Sequence, residues 1–322
     1  MTRTGASVLV LLLGLAACTS GGDAAGPEPT PSAVTPSAAP PTTAASIPEQ
    51  PAEPPDPTAV AFDAAAAMRT VRDLAGIGPR EATSPAFRAA ADEVAARFAA
   101  LGYDVRRDRF RVPAGESWGV PVSAGRTQNV VARSPGTPRG AAYVVVGAHL
   151  DTVPQSPGAE DNASGVAVLL ELARLARAAP TRWPVTFVAF GAEEPRGPAD
   201  DQHHFGSLRR AARVGDEPLR AMVSLDRVGA AGPVRVCTGG LSPRRAVREL
   251  LAAAERLDVR AGRCENRTSD HWPYEKAGET VARLGGNEYA AYHSARDLPR
   301  VVSRRQLDRV GRVVWEWLRA ER

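Results

Sequence analysis

The sequence predicts an α/β fold of three layers, α/β/α, around a mostly parallel, mixed central sheet. Three observations carry that expectation. Continuous apolar runs of strand length, Ala141 to Ala148 and Val185 to Phe190, read as strands buried on both faces. Between them, residues 165–178 place Val166, Leu169, Leu170, Ala173 and Leu175 at helical spacing. Strand–helix alternation of this kind continues along the chain, which argues for a sheet covered by helices on both faces.

Taken in order, Phe62 to Leu74 and Pro85 to Leu101 are helical patterns, the second closed by Gly102. After the strand–helix–strand unit just described, Ala221 to Leu225, Val234 to Cys237 and Thr280 to Leu284 are further strands. Pro243 to Leu257 and Ser303 to Leu318 are further helices, the last with Val310, Val313, Val314 and Trp317 as its apolar face. Residues 59–322 are thus expected to form one folded domain, and about 260 residues suit a single large core. Composition agrees: 43% of the 322 residues are hydrophobic and 24% charged, as in ordinary globular proteins. Collagen, coiled coil, a disulfide-dense miniprotein and a multi-span membrane protein are excluded. Forty Lys and Arg against 36 Asp and Glu leave a net charge of +4, too little to imply nucleic acid as a partner. Lys276 is the sole lysine, a coding bias and not a phosphate-binding design.

The N-terminus reads as an export address. Arg3 precedes an apolar stretch, Val8 to Leu15, that is too short to span a bilayer comfortably. It ends in Leu15-Ala16-Ala17-Cys18, which resembles the lipobox of bacterial lipoproteins. That resemblance implies a signal peptide over residues 1–17 and lipid attachment at Cys18. Residues 19–58 hold eleven of the 28 prolines and no apolar periodicity, so 18–58 is expected to be a disordered tether. The expected location is the outer face of the cytoplasmic membrane, with the membrane touched through the anchor only, or release outside the cell.

Ligands of α/β sheets sit at the carboxyl ends of the strands. Here those ends are acidic and histidine-bearing: His149-Leu150-Asp151, then Glu160-Asp161-Asn162, then Glu193-Glu194, then Asp226, and later Tyr292-His293. A single Asp after a strand is usually a cap or turn former, a lone His a surface or core residue, and a Glu pair a solvated face. Their joint appearance at successive strand ends points instead to a metal site. Imidazole and carboxylate suit zinc, and five such ligands exceed what one ion takes from protein. Two Zn2+ per chain fit the count: His149 and Asp226 on one, Glu194 and His293 on the other, Asp161 between them. His203 and His204, in the polar run Asp200 to His204, are expected at the surface.

The strings AHLDTV, GAEDNASG, FGAEE, SLDRVG, TSDHWPY and AYHSARD, in that order, resemble metallopeptidase family 28, the co-catalytic dizinc aminopeptidases. The resemblance spans essentially the whole folded domain. It implies the zinc-dependent exopeptidase fold, removal of N-terminal residues from peptides through a metal-bridging hydroxide, and His149, Asp161, Glu194, Asp226 and His293 as zinc ligands. It also implies Glu193 as general base, Asp151 as the carboxylate orienting His149, Tyr292 as a donor to the oxyanion, and a cis peptide at Asp161-Asn162. Arg227 departs from the family's usual Met, and Pro195 to Asp201 from a more glycine-rich loop; both bear on substrate preference.

Asp270 is a candidate to orient His293 in the same manner, and His271 is expected to shape the pocket. Cys237 and Cys264 remain as an even pair in an exported protein and are expected to form a disulfide. The chain is expected to act as a monomer. Three other readings stay open. His149 to Pro154 also resembles the HxDxVP motif of exopeptidases with a separate dimerisation domain, but Asp161 follows too closely and no inserted domain is visible. A single-zinc glutaminyl cyclase of the same fold is a second, and a noncatalytic binding lipoprotein on this scaffold a third. A serine hydrolase is not expected, and no His-Glu-x-x-His string occurs.

Overall fold

The computed structural model describes residues 60–138, 140–214 and 218–319. The expected signal peptide, Cys18 and the tether lie outside the described residues. No helix among those described is long and apolar enough to cross a membrane.

The chain opens with α1 (Ala64–Gly76), whose first amides are capped by Asp63 Oδ1, which accepts from Ala65 N and Ala66 N. In α2 (Pro85–Ala100) Ser84 caps Phe87 N and Pro85 takes the first turn, where its missing N–H costs nothing. Then follow β1 (Asp104–Val112), the short hairpin strands β2 (Gly115–Ser117) and β3 (Val120–Val122), and β4 (Gly125–Arg133). Next come β5 (Tyr143–His149), α3 (Ser164–Ala178), β6 (Val185–Phe190), α4 (Phe205–Ala211) and β7 (Leu219–Leu225). The chain closes with β8 (Val234–Thr238), α5 (Arg245–Arg256), β9 (Ala261–Glu265), α6 (His271–Lys276), β10 (Val281–Leu284) and α7 (Arg304–Arg319).

Eight strands form one sheet in the order β1-β4-β6-β5-β7-β10-β8-β9. Four of its seven neighbour pairs are parallel, β6·β5, β5·β7, β7·β10 and β8·β9; β1·β4, β4·β6 and β10·β8 are antiparallel. The sheet is mixed, with a parallel run β6-β5-β7-β10 in the middle and one further parallel pair, β8·β9, at an edge. Side chains of β5 alternate between the two faces. Val144, Val146 and Ala148 join the larger core beneath α1, α2, α3, α5 and α7, while Tyr143 and Val145 join the smaller one with Ala211 of α4 and Tyr274 of α6. That alternation is why an uninterrupted apolar run can be a strand: both faces are dry. Phe187 of β6 centres the larger core, with Phe98 and Tyr103 rings at 6.3 and 5.6 Å. At the far edge Cys237 of β8 is bonded to Cys264 of β9, where the parallel register sets the two side by side.

Candidate metal centre

From β5 the chain passes to β6 on one side, and β7 lies on the other, so loops leaving β5, β6 and β7 diverge and leave a crevice at their carboxyl ends. His149 ends β5, Glu193 and Glu194 follow β6, and Asp226 follows β7. Asp161 sits in an irregular helical turn, Ala159–Ala163, and its peptide bond to Asn162 is cis. Asn162 fastens this turn. Its Nδ2 donates to Leu225 O at 2.8 Å, and its Oδ1 accepts from Gly165 N at 3.0 Å and Arg227 N at 3.2 Å. Glycine is required at 165, because a Cβ there would stand 2.4 Å from both Asn162 Oδ1 and Leu225 O.

The groups converge on Asp161. Its Oδ1 lies 3.2 Å from His149 Nε2 and its Oδ2 3.1 Å from His293 Nε2. Asp226 Oδ1 is 3.9 Å from His149 Nε2, and Glu194 Oε2 is 3.7 Å from His293 Nε2. Three sets of donor atoms are each close enough for one cation, His149–Glu193–Glu194, His149–Asp161–Asp226 and Asp161–Glu194–His293, and the last two share one carboxylate, Asp161. Glu194 Oε1 is buried without a hydrogen-bond partner among the described residues.

Electrostatics make the cluster hungry for cations. Burial, reinforced by the charges of Asp161 and Glu193, holds the Glu194 pKa well above the ordinary carboxyl range. Burial likewise pushes Glu193 up to about 8, with Asp226, Asp151 and Asp161 adding repulsion that the His149 charge only partly offsets. Burial works against the His149 cation, yet Glu193, Asp161 and Asp226 outweigh it and raise its pKa well above 6.5. Asp226 goes the other way: burial opposes its charge, but Arg283, His149 and Arg227 hold it well below 3.8.

Several buried residues that the sequence did not single out hold this arrangement. Asp297 accepts from Glu160 N (2.8 Å), Asp161 N (3.1 Å) and Tyr289 Oη (3.0 Å), fixing the backbone of the shared carboxylate. The fully buried Arg80 donates to Leu150, Leu74, Pro157 and Gly158 carbonyls and so clamps the loop between His149 and Asp161. Arg196 is bound to the Glu81 carboxylate and to Pro113 O and Ser123 O. At the rim, Trp118 (55% exposed) packs edge-on to His293 at 4.3 Å, and the Tyr292 ring (39% exposed) stacks on His293 at 3.6 Å.

Three expectations need correction. His149 Nδ1–H donates to the Asp151 carbonyl at 3.1 Å, not to its carboxylate, so the backbone fixes the tautomer and leaves Nε2 facing Asp161. The Asp151 carboxylate turns instead to Glu193 N and Glu194 N, both at 3.1 Å. Asp270 does not orient His293, whose Nδ1 has no hydrogen-bond partner among the described residues. Asp270 precedes α6, on the face shared with α4, and the charges it senses are those of Glu193, His149 and His204. His204 is not at the surface: it is buried, with Nε2 3.3 Å from Glu193 Oε1 and its amide donating to Glu193 O. His203 is half-buried, its Nε2–H donating to Gly197 O at 2.9 Å. The chain also carries one Gly-x-Ser-x-Gly string, Gly115 to Gly119. It forms the β2–β3 hairpin, not the strand–turn–helix of a nucleophile elbow, and Ser117 Oγ is buried without a partner among the described residues.

Comparison with known proteins gives a consistent picture. Peptidase family M28 matches residues 129–318. The uncharacterized protein YfbL of Escherichia coli (strain K12) is 36% identical over 118 residues, 34% of this chain and 35% of that protein. Aminopeptidase YwaD of Bacillus subtilis (strain 168) is 32% identical over 182 residues, 53% of this chain and 39% of that protein. The probable lipoprotein aminopeptidase LpqL of Mycobacterium tuberculosis is 44% identical over 70 residues, 21% and 14%. The chain thus matches little more than a third of these relatives' length, or less. A zinc aminopeptidase from Bacillus subtilis superposes with a TM-score of 0.71 at 20% identity, over 80% of this chain and 95% of that one. A glutaminyl cyclase from Bacteroides thetaiotaomicron does so with 0.70 at 22% identity, over 81% and 99%. These two likenesses speak for the fold.

Asp151→Asn puts an amide donor against two backbone donors. It is expected to weaken zinc binding roughly tenfold to a hundredfold in calorimetric titration, with an unchanged circular dichroism spectrum; unaltered affinity would refute a supporting role. His271 supplies a pH dependence. Its Nε2–H donates to Asn266 O at 2.8 Å while Nδ1 is buried without a partner, and burial, then the Arg283 charge, lower its pKa from 6.5 to about 4. Between those values only the unfolded chain binds the extra proton. Stability should therefore fall as pH drops from 6.5 towards 4, by up to about 3 kcal/mol. Urea midpoints at pH 7 and 4.5 should differ less in His271→Gln than in the wild type, and equal pH slopes would contradict the assignment.

Proposed function

The chain belongs to peptidase family M28, and on that premise we propose that it is an exported zinc aminopeptidase that removes residues from the N-terminus of peptides. The observation that carries the proposal is the position of Asp161, with one carboxylate oxygen 3.2 Å from His149 and the other 3.1 Å from His293. Asp226 extends the first group and Glu194 the second. The residues fit two zinc ions: the donors are imidazole nitrogen and carboxylate oxygen, the acidic groups are buried in excess of the cations beside them, and Glu194 Oε1 is an orphaned acceptor. His149 and Asp226 would hold one ion, Glu194 and His293 the other, with Asp161 between. When bound, the ions supply Lewis acidity, polarising the scissile carbonyl and making an attacking water more acidic.

The remaining steps fall to the chain's own side chains. Glu193 lies beside the ligands with Oε2 3.9 Å from His149 Nε2 and Oε1 against His204, so it is placed to take the water's proton and return it to the leaving amine. Asp151 grips the amides of both Glu193 and Glu194 and fixes the backbone between them, with Glu193 Oε1 against His204 and Glu194 Oε2 against His293. Tyr292, at the rim, would donate its hydroxyl to the developing oxyanion. The acidic surroundings favour a protonated α-amine, which restricts cleavage to the first residue.

Residues 1–17 as signal peptide, a lipidated Cys18 and the tether of 18–58 would place this enzyme on the outer face of the cytoplasmic membrane, acting as a monomer on peptides. Similarity to a probable lipoprotein aminopeptidase supports that location. A glutaminyl cyclase shares the fold. The His149–Asp161–Asp226 group, which offers a second ion a place, favours the peptidase.

Glu193→Gln is expected to lower kcat on aminoacyl anilides roughly a hundredfold to ten-thousandfold while two zinc ions remain per chain. Asp161→Ala should release zinc from both positions. Retained activity in Glu193→Gln, or one zinc per chain in the wild type, would contradict the proposal.

A further inference from the structure

Asp226 faces two arginines, and only one of them, Arg283, is hydrogen-bonded to it. Arg283 is 2% exposed and grips Asp226 directly, with Nε and Nη2 each 3.2 Å from Oδ2 and Nη2 3.3 Å from the carbonyl. Arg227 is different. Its nearest acidic atom among the described residues is Asp226 Oδ1, 3.6 Å from Nε, beyond a good hydrogen bond. Its guanidinium lies 4.4 Å from the centre of the Tyr292 ring and donates no hydrogen bond to any described residue. Its side chain is 17% exposed. A guanidinium stacked on an aromatic face keeps its N–H edge free, and that edge matches a carboxylate in bidentate fashion. A partly buried cation with unused donors is costly unless something fills them.

We propose that Arg227 is a specificity-determining residue that receives a carboxylate of the substrate. The substrates are then small peptides carrying a negative charge close to the scissile bond. That charge has two chemical sources: the C-terminal carboxylate of a dipeptide, or an acidic side chain on the first residue. The placement suits either, since Arg227 directly follows Asp226 and stacks on Tyr292 at the mouth of the site. The inference rests on the aminopeptidase reading but predicts a ratio that reading does not.

The test compares the full-length, zinc-loaded wild type with Arg227→Met and Arg227→Lys. One arm sets a leucine dipeptide against its C-terminal amide; the other sets aspartyl anilide against leucyl anilide. In at least one arm the wild type should favour the anionic member, and Arg227→Met should reduce that ratio of kcat/KM roughly tenfold to a hundredfold. Arg227→Lys, which keeps the charge without the fork, should fall between. The arm that responds identifies the source of the carboxylate. Calorimetric binding of the same dipeptide and amide to the Glu193→Gln variant, with and without Arg227→Met, reads the preference without turnover. Equal losses for anionic and neutral ligands, or unchanged ratios in both arms and in binding, would overturn the role of Arg227. Absence of hydrolysis of all four substrates, with the binding preference intact, would instead overturn the aminopeptidase reading alone.

Discussion

Five carboxylates crowded into one buried crevice are the constraint on which this structure turns. Asp151, Asp161, Glu193, Glu194 and Asp226 are each 7% exposed or less, and like charges at such range cannot all ionise without compensation. The fold answers each one separately. Asp151 is satisfied by two backbone amides, Asp226 by Arg283, and Asp161 by two imidazoles. Glu193 and Glu194 keep raised pKa values, and Glu194 keeps an unsatisfied oxygen. The cluster is thus built for positive charge that the chain does not itself provide, and its shape, two groups joined through Asp161, suits a pair of cations.

Holding such a cluster requires rigid surroundings, and the sheet supplies them. Dry central strands end at His149, Phe190 and Leu225, so the acidic residues emerge from backbone that is hydrogen-bonded on both sides. The turn carrying Asp161 is pinned through Asn162 to β7 and α3, through Asp297 to the loop after β10, and beside it Arg80 gathers five carbonyls. Supporting contacts of this kind usually matter nearly as much to a metal site as its ligands.

How much of this was legible depended on local signal. β5, β6 and α3 were readable because burial on both sheet faces leaves an uninterrupted apolar run, and one-sided burial leaves a period of 3.6. β1 was not: Arg106, Arg107, Arg109 and Arg111 interrupt it, and its place comes from pairing with β4 at the sheet edge. The short helices α4 and α6 are too brief to show a period. At the site, strand ends named the acidic and imidazole groups, but their partners needed three dimensions. His204 stands within a polar run that reads as solvated; it is buried because its amide and that of Phe205 bond back to Glu193 O and Ala192 O, which sets its ring against Glu193. The family resemblance implies that the Asp151 carboxylate orients His149, yet the carbonyl is the acceptor and the carboxylate reaches across to the loop after β6. Asp297 stood in a recognisable string without a role, because its contacts lie some 136 residues away in sequence.

In the proposed dizinc site Asp161 stands between the two ions. Anomalous diffraction at the zinc edge, on crystals of the zinc-loaded chain, tests it most directly. The expected result is two peaks roughly 3.5–4 Å apart on either side of the Asp161 carboxylate, one beside His149 and Asp226 and one beside Glu194 and His293. A single peak, or two peaks of which only one touches Asp161, would contradict it.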